Sequence, residues 1–460
     1  MMIQLLDRLE KISAPRIILM GFLSVILMGS ILLSLPIAAS SGEATPYVDA
    51  LFTATTSVCV TGLVTVNTLE HWSLFGHIII LLLIQFGGLG FVAVMTAMML
   101  ILGKKLTLKE RMIIQEAYSF HKLSGLVKFT KKVVIGTLMV EGIGAILYMF
   151  QFIPEFGVKR GIWISVFNAI SGFCNAGIDI IGENSLVPYV HNPLVNLVTM
   201  TLIVSGGIGF TVWWDLIRVG KLVAKKEIQL NKFWIKLSLH TKLAITTTVS
   251  LIIVGALFVF VLEYHNEGTI GTFSVWNKIQ ASFFQSVTLR TAGFITIPQE
   301  NLRDDTSLIS IMLMFIGGSP VGTAGGIKTI TVAVLFATVM SVIRGRKNVV
   351  IYNRKISMDI VKKSLTMICV TLTMLLFLTL ALNIAETETD FMTCLYEIAS
   401  ALGTVGLSKN LTPNLSTIGK LIVILTMYVG RVGPITMAVG FNVKGKKTLV
   451  EYPEEDVLVG

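Results

Sequence analysis

Four glycines, Gly62, Gly177, Gly293 and Gly406, recur at spacings of 115, 116 and 113 residues, and each closes a short polar string set in apolar sequence. The strings are VCVTG (58–62), FCNAG (173–177), LRTAG (289–293) and LGTVG (402–406). An aromatic residue stands ten positions before each glycine: Phe52, Phe167, Phe283 and Tyr396. One feature repeated four times, at a quarter of a 460-residue chain, is most simply built as four copies of one unit about an axis.

The medium around those units follows from composition. With 53% hydrophobic residues, 14% charged residues and a mean hydropathy of +0.79, the chain has too little polar surface to cover a soluble globule of its length. Residues 17–42, 71–103, 184–214, 243–262 and 364–385 contain no Asp, Glu, Lys or Arg, whereas a membrane-spanning helix needs only ~20 apolar residues. The chain therefore reads as an integral membrane protein. Its net charge of +10 does not call for nucleic acid, because most of the 37 Lys and Arg fall in five segments: 1–17, 103–132, 216–242, 344–363 and 441–460. These are the two ends and the three junctions between units, so the positive-inside bias puts both termini and all junctions in the cytoplasm. Four cysteines give no metal-type spacing and no disulfide framework.

Each unit reads as an outer helix, a half-helix, a loop and an inner helix. In the first, a span over 17–39 precedes a short amphipathic stretch at 47–57, the glycine string, and the long run 71–103. A half-helix of about 11 residues reaches roughly 16 Å, so it enters a ~30 Å core without crossing it. The other units give outer spans at 133–152, 242–264 and 362–384, half-helices at 161–173, 276–288 and 390–401, and inner spans at 193–217, 306–343 and 416–441. Unit by unit the domains are 1–103, 104–219, 220–345 and 346–443, followed by a cytoplasmic tail at 444–460. The expected fold is an all-α polytopic membrane protein. Its four parallel helix, pore-helix, filter-loop and helix repeats are arranged pseudo-fourfold around one pore per protomer.

The loops suggest what passes through. A bare K+ must exchange its hydration shell for fixed oxygens, and backbone carbonyls supply these when the chain runs extended along an axis. Glycine permits the required dihedrals, and irregular backbone is tolerated at membrane depth only where it is buried or lines water. The expected filter residues are Val60, Thr61, Gly62, Asn175, Ala176, Gly177, Thr291, Ala292, Gly293, Thr404, Val405 and Gly406, with K+ at the carbonyls of the four glycines.

A second glycine set lies downstream, in FGGLG (86–90), SGGIG (205–209), IGGSP (316–320) and VGRVG (429–433). Gly87 and Gly206 read as close helix packing through small residues, while units three and four depart from it. In unit three the inner span is interrupted by Gly317, Gly318, Ser319, Pro320, Val321, Gly322, Thr323, Ala324, Gly325, Gly326, Ile327 and Lys328, which have no helical consistency. A broken helix there puts flexible backbone under the filter, across the permeation path. The superficial echo of a phosphate-binding GxxxxGK[ST] loop fails, because Ile327 stands where glycine is required and no strand leads in. Arg431 occupies the matching place in unit four, between charge-free flanks. An arginine buried in a span needs a partner, and the preferred reading has it project into the pore beside 317–328 as a barrier to cations, alongside a structural bond to helix-end carbonyls. Of the other ionisable residues, Arg290 is expected behind the filter, Asp179 at the outer mouth, Glu141 as a buried hydrogen-bonding group, Asp215 in solvent and the six histidines at interfaces.

Taken together, VTGL (60–63), CNAG (174–177), LRTAGF (289–294), GTVGLS (403–408), the GGxGF strings and GRVGPIT (430–436) resemble the Trk/Ktr/HKT superfamily of K+ transporters over essentially the full length, most nearly the bacterial Ktr-type membrane subunit. The resemblance implies a homodimer in the bacterial plasma membrane, each protomer with its own pore, on a cytosolic ring of RCK-type regulatory subunits that bind the nucleotide this chain does not. It also implies an intramembrane gating loop at 316–328 that regulators move, with Gly317, Gly318, Ser319, Gly322, Thr323, Gly325, Gly326, Lys328 and Arg431 at the gate. Plant members that prefer Na+ carry Ser at the first filter glycine, so Gly62 favours K+, in a translocation that is either passive or Na+-assisted. The basic junctions 103–132 and 216–242 are the natural docking surface, in contact also with lipid, and the tail EYPEEDVLVG is expected to help the dimer. The alternative is a coupled secondary cation transporter, which predicts inverted repeats. No nucleophile-and-base pair or metal-ligand set points to an enzyme.

Overall fold

The computed structural model describes residues 14–101, 125–182 and 184–433, with residues 112, 436, 437 and 455. The expectations placed on most of 103–124 and on the tail 444–460 fall outside the described residues.

In chain order the main helices are α1 (Ala14–Leu33), α2 (Tyr47–Cys59), α3 (Leu74–Leu89), α4 (Phe91–Ile101), α5 (Leu126–Phe156), α6 (Val158–Cys174), α7 (Pro193–Gly207), α8 (Phe210–Ala224), α9 (Leu239–Glu263), α10 (Val275–Thr288), α11 (Asp304–Phe315), α12 (Thr329–Ile343), α13 (Met358–Ala385), α14 (Phe391–Gly403) and α15 (Thr417–Val432). Their starts are written in the sequence. Ser73, Asn192 and Ser416 accept backbone N–H groups at the heads of α3, α7 and α15, and Ser238, Ser274 and Asp390 do so for α9, α10 and α14. Such a cap contributes about 1 kcal/mol.

Among the described residues four helices, α1 from Pro15, α5, α9 and α13, are each long and apolar enough to cross a membrane. The shortest of these has 19 residues, roughly 28 Å at ~1.5 Å per residue, close to the ~30 Å hydrocarbon thickness. Their outward faces are apolar: Leu138, Met139 and Phe150 on α5, Leu257 and Val261 on α9, and Phe377 and Ile384 on α13 are all exposed. Many polar side chains, by contrast, are buried, among them Thr53, Thr55, Thr56, Ser57, Ser165, Ser171, Ser286, Thr288 and Ser400. A surface of Leu, Ile, Val and Phe around an interior of hydroxyls and amides suits a lipid surround. This is a membrane protein.

The helices α2, α6, α10 and α14 have 13, 17, 14 and 13 residues. Thirteen residues reach roughly 20 Å, too little to cross, and each of these helices packs against the long helix before it. The reversal from α5 to α6 is sharp because Gly157 alone separates them, at φ 78°, and Gly161 lets the two backbones meet: a Cβ there would lie 2.6 Å from the Phe152 carbonyl oxygen. A small hairpin, Val350–Ile351 with Arg354–Lys355, turns through Tyr352 and Asn353 at positive φ and interrupts the otherwise helical expectation.

The inner spans differ from expectation. Only that of unit three was expected to break. In fact α3 stops at Gly90, α7 stops before Gly209 and α15 stops at Gly433, three glycines with nearly the same backbone dihedrals (φ 83°, 95° and 91°; ψ 145°, 137° and 135°). At the second of these breaks the chain bends by 97° into α8. These φ values are open to glycine and strained for other residues. Units one, two and four therefore share a glycine break, and unit three replaces it with the longer irregular segment 316–328 between α11 and α12.

Candidate functional site

The four polar strings repeat a backbone conformation as well as a composition. Two residues before each glycine the chain enters the left-handed region, at Val60 (φ 56°), Asn175 (61°), Thr291 (63°) and Thr404 (52°), and the glycines follow at φ 101°, 65°, 81° and 94°. Three of the four left-handed residues are β-branched, which costs about 1–2 kcal/mol each. Local hydrogen bonds hold the turn in three copies. The N–H one before the glycine (Thr61, Ala176, Val405) bonds the carbonyl five residues back (Thr56, Ser171, Ser400) at 2.8 Å. In addition Gly62 N donates to Thr56 Oγ1 (2.9 Å) and Gly406 N to Ser400 Oγ (3.0 Å).

The third copy is wound differently. Leu289, just past the end of α10, keeps right-handed dihedrals, Ala292 N bonds Thr288 O, and Thr288 Oγ1 donates to the Phe294 carbonyl at 2.7 Å. That one-residue offset rotates α10 about its axis, so the aromatic marker is misplaced in unit three. Phe283 is 39% exposed and Phe284 is the buried ring, whereas Phe52, Phe167 and Tyr396 are fully buried as their spacing suggests.

The strings come together in a closed cycle. A Cβ added to Gly62 would meet the Ala176 carbonyl oxygen, one on Gly177 that of Ala292, one on Gly293 that of Val405, and one on Gly406 that of Thr61. All four approaches are closer than 3.0 Å, where no real Cβ fits. Each glycine thus leaves room for the carbonyl of the next loop in chain order, and the last closes on the first. Thr61 Oγ1 and Thr404 Oγ1 are buried there without a hydrogen-bond partner, so hydroxyl as well as carbonyl oxygens are available to a cation. Among the described residues no His, Cys, Asp and Glu group of the kind that holds a resident metal occurs.

The glycines in the inner spans set the distance behind the strings. A Cβ at Gly87, Gly206 or Gly430 would strike the carbonyl of Val58, Phe173 or Leu402, in each case four residues before the string's glycine. Gly430 therefore packs as Gly87 and Gly206 do, which corrects the expectation that unit four departs from this role. Gly317 is the exception, lying against Gly325 of its own loop.

The loop 316–328 lies at the base of the strings. Gly325 leaves room for the Thr404 side chain, and Gly326 lies against the Gly403 carbonyl. On the other side Ser319 N and Thr323 N donate to the carbonyls of Gly207 (2.8 Å) and Gly206 (3.1 Å), Phe210 N donates to Val321 O (2.9 Å), and Thr323 Oγ1 donates to Phe173 O (3.1 Å). The Asn175 side chain sits between Thr291 and Thr323. Within the loop, Gly317 N bonds Ile327 O (2.9 Å), Thr329 N bonds Gly318 O (3.0 Å), and the hydroxyls of Ser319 and Thr329 meet at 2.8 Å. Gly318 and Gly322 press on the Gly207 and Gly206 carbonyls. The loop is docked on the broken inner span of unit two.

Three cations close on the loop's carbonyls. Lys328 Nζ donates to Ala324 O at 2.7 Å, Arg290 to Gly317 O at 3.3 Å, and Arg431 to Thr323 O and, from its second nitrogen, to Gly87 O. Arg290 is buried, and with Thr248, Val287, Gly207 and Gly318 it lines a small pocket. Arg431 uses its donors on backbone carbonyls and lies beside the loop. Asp179 is half-buried after the second string and accepts Ile181 N at 3.2 Å. Asp215 is not simply solvated: it accepts from Arg218 (2.6 Å), Ser238 N (2.9 Å) and Thr241 Oγ1 (2.7 Å), joining α8 to the head of α9. His77, expected at an interface, is buried with Nε2 2.8 Å from the Thr68 carbonyl oxygen.

With this geometry in hand, comparison with known proteins is specific. The family model described as "TrkH: Cation transport protein" matches residues 16–450. This chain belongs to that family. Ktr system potassium uptake protein B of Bacillus subtilis is 39% identical over 451 residues, covering 98% of this chain and 97% of that protein. Potassium/sodium uptake protein NtpJ of Enterococcus hirae is 36% identical over 458 residues, covering 98% of both. The crystal structure of the potassium transporter TrkH from Vibrio parahaemolyticus shares the fold, with a TM-score of 0.71 at 16% identity over 92% of this chain and 84% of that one. A member of a cation transport family, the chain is not an enzyme.

Proposed function

We propose that this chain is the pore-forming subunit of a regulated K+ uptake system in a bacterial cytoplasmic membrane. The single observation that carries the reading is the cycle in which each string glycine accommodates the carbonyl of the next string, from Gly62 through Gly177 and Gly293 to Gly406 and back. In this reading units 1–103, 104–219, 220–345 and 346–443 run parallel around a pseudo-fourfold axis, and their loops form one filter. The filter residues are those named from the sequence, with K+ held by the carbonyls around Gly62, Gly177, Gly293 and Gly406. Dehydration of K+ is offset by oxygens fixed at a spacing that the glycines alone permit.

The segment 316–328 is the gate in this account. It lies against Thr404 and Gly403, so an ion leaving the filter meets it next. Its carbonyls would otherwise attract cations, but Arg290, Lys328 and Arg431 occupy them. Opening then requires the loop to give up its bonds to Gly206 and Gly207 and its contact with Arg431. The proposed mover is a cytosolic RCK-type ring that binds the nucleotide, docked on the basic junctions of a homodimer whose termini face the cytoplasm. The two relatives above are named as a potassium uptake protein and a potassium/sodium uptake protein, which supports K+ as the transported ion.

The test is K+ uptake, with Rb+ and Na+ in competition, in cells lacking their own K+ uptake systems, comparing the unaltered chain with a chain lacking residues 317–327. Faster uptake on deletion is the expected result. Deletion that leaves flux unchanged, in protein present in the membrane at normal amount, removes the gate from the account.

A further inference from the structure

Glu141 lies midway along the 31-residue α5, where a membrane is driest, and it is 4% exposed. Its contacts lead to the second string. Gln85 Nε2 donates to one carboxyl oxygen at 3.3 Å, and the Cys174 thiol donates to the other at 3.7 Å, with Gln85 Oε1 also within the thiol's reach at 3.8 Å. Cys174 is the last residue of α6 and stands three positions before Gly177. Gly88 presses on Cys174 from α3, so the thiol has little freedom to turn away.

None of the ion pairs among the described residues includes Glu141. The elements packed around it carry few charges. Helices α3, α4 and α7 contain no Asp, Glu, Lys or Arg, and His77 of α3 is engaged with the Thr68 carbonyl. Tyr148, on α5 itself, is paired with Thr199 of α7 at 2.6 Å. On α6 the cations are Lys159 and Arg160 at the opposite end from Cys174, and on α5 Lys128, Lys131, Lys132 and Glu155 lie near its two ends. Arg431 gives its donors to the Thr323 and Gly87 carbonyls. A carboxylate held in such surroundings without a cation is costly, and the group lowers that cost by taking a proton. The arrangement is also confined to one unit: α1 has no acidic residue, and α9 and α13 carry theirs, Glu263 and Asp359, at their ends.

We propose that Glu141 is a proton-exchanging positioning residue for the second filter loop. With its proton on, it holds Cys174 through neutral hydrogen bonds; with its proton off, its negative charge raises the affinity of that loop for a monovalent cation. The sign follows from charge: the ionised form exists at higher pH, so the KM for the transported cation falls as pH rises. The proposal rests on the reading of 173–177 as part of a cation filter.

The experiment uses the full-length chain in proteoliposomes with equal pH on both faces, reading Rb+ uptake between about pH 5.5 and 8.5. The unaltered chain is expected to show a KM about threefold to tenfold lower at the alkaline end. Glu141→Gln flattens that slope at the acid value with kcat little changed, and Asp179→Asn, which alters the other carboxyl near the loop, keeps it. A Glu141→Gln chain that retains the slope, or a slope that disappears with Asp179→Asn instead, overturns the proposal. Glu141→Asp, which keeps a carboxyl, should retain a slope, whereas a purely packing role would lower kcat or yield without flattening it. If Glu141→Gln cannot be recovered, an infrared pH titration of the unaltered and Glu141→Asp chains decides: a carboxylic C=O band must titrate at a different pH in the two, and identical titrations sink the idea. Gly406→Ser in the same vesicles separates the premises, since unchanged preference for Rb+ over Na+ there rejects the filter and not Glu141 alone.

Discussion

The Arg431 guanidinium donates to the carbonyl of Thr323, 108 residues earlier in the chain, while Thr323 Oγ1 donates to the Phe173 carbonyl at 3.1 Å. One loop residue is therefore held at once by the end of α15 and by the last turn of α6. A guanidinium does this better than an ammonium because it presents two donors in a fixed fork, one of which reaches Gly87.

Replacing Arg431 should loosen the loop. Charge-assisted bonds of this kind contribute about 1.5–3 kcal/mol, and a bias of ~1.4 kcal/mol changes a two-state population tenfold. Arg431→Gln is expected to raise unstimulated Rb+ flux in proteoliposomes about threefold to tenfold, with Arg431→Lys intermediate because it bridges one carbonyl at a time. Flux equal to that of the unaltered chain in both variants would remove Arg431 from control of the loop.

The inner-span glycines make a stability prediction. Gly87→Ala, Gly206→Ala and Gly430→Ala each drive a methyl group into a backbone carbonyl, and backbone cannot swing aside as a side chain can. Each should cost about 2–4 kcal/mol and lower the melting temperature in detergent by several degrees. Gly142→Ala is the control: a Cβ there meets nothing within 4 Å, and it lies inside α5. It should be neutral or slightly stabilising.

Asp49, in the first turn of α2, pairs with Lys420 of α15 at 2.7 Å, with side chains only 15% and 18% exposed. Fixing the head of α2 against α15 orients the string that follows. A double-mutant cycle with Asp49→Asn and Lys420→Met should give a coupling of about 1 kcal/mol, reduced modestly by salt because the pair is partly shielded. Additivity of the two single changes would reduce the pair to a surface contact.

The sequence announced those features that only one residue type can provide. Gly62, Gly177, Gly293 and Gly406 sit at positive φ with a neighbouring carbonyl where a Cβ would be, so their spacing exposed the four strings and the short helices before them. The left-handed turns at Val60, Thr291 and Thr404 left no mark, since their surroundings hold β-branched residues there against their preference, and only Asn175 is of a type that takes that region readily. The breaks at Gly90, Gly209 and Gly433 were present as the last letter of each glycine string. They were overlooked because apolar sequence continues through them and hydropathy does not register a change of direction. Phe283 misled because Ala292 N closes on the carbonyl four residues back instead of five, so the ring nine residues before Gly293, Phe284, takes the buried place. A bond from Arg431 to helix-end carbonyls was among the expectations, but which carbonyls Arg290, Lys328 and Arg431 reach could not be read, since a backbone oxygen carries no residue identity.

The central claim, that four strings form one filter, is tested most directly by changing the glycines one at a time. Gly62→Ser, Gly177→Ser, Gly293→Ser and Gly406→Ser should each lower the preference for K+ over Na+, measured as competition against Rb+ uptake in proteoliposomes, because each pushes a neighbouring string's carbonyl out of place. Loss of preference in all four is the predicted result. A well-folded variant that keeps the full preference would show that its string lies outside the ion path, and the single-filter account would be wrong.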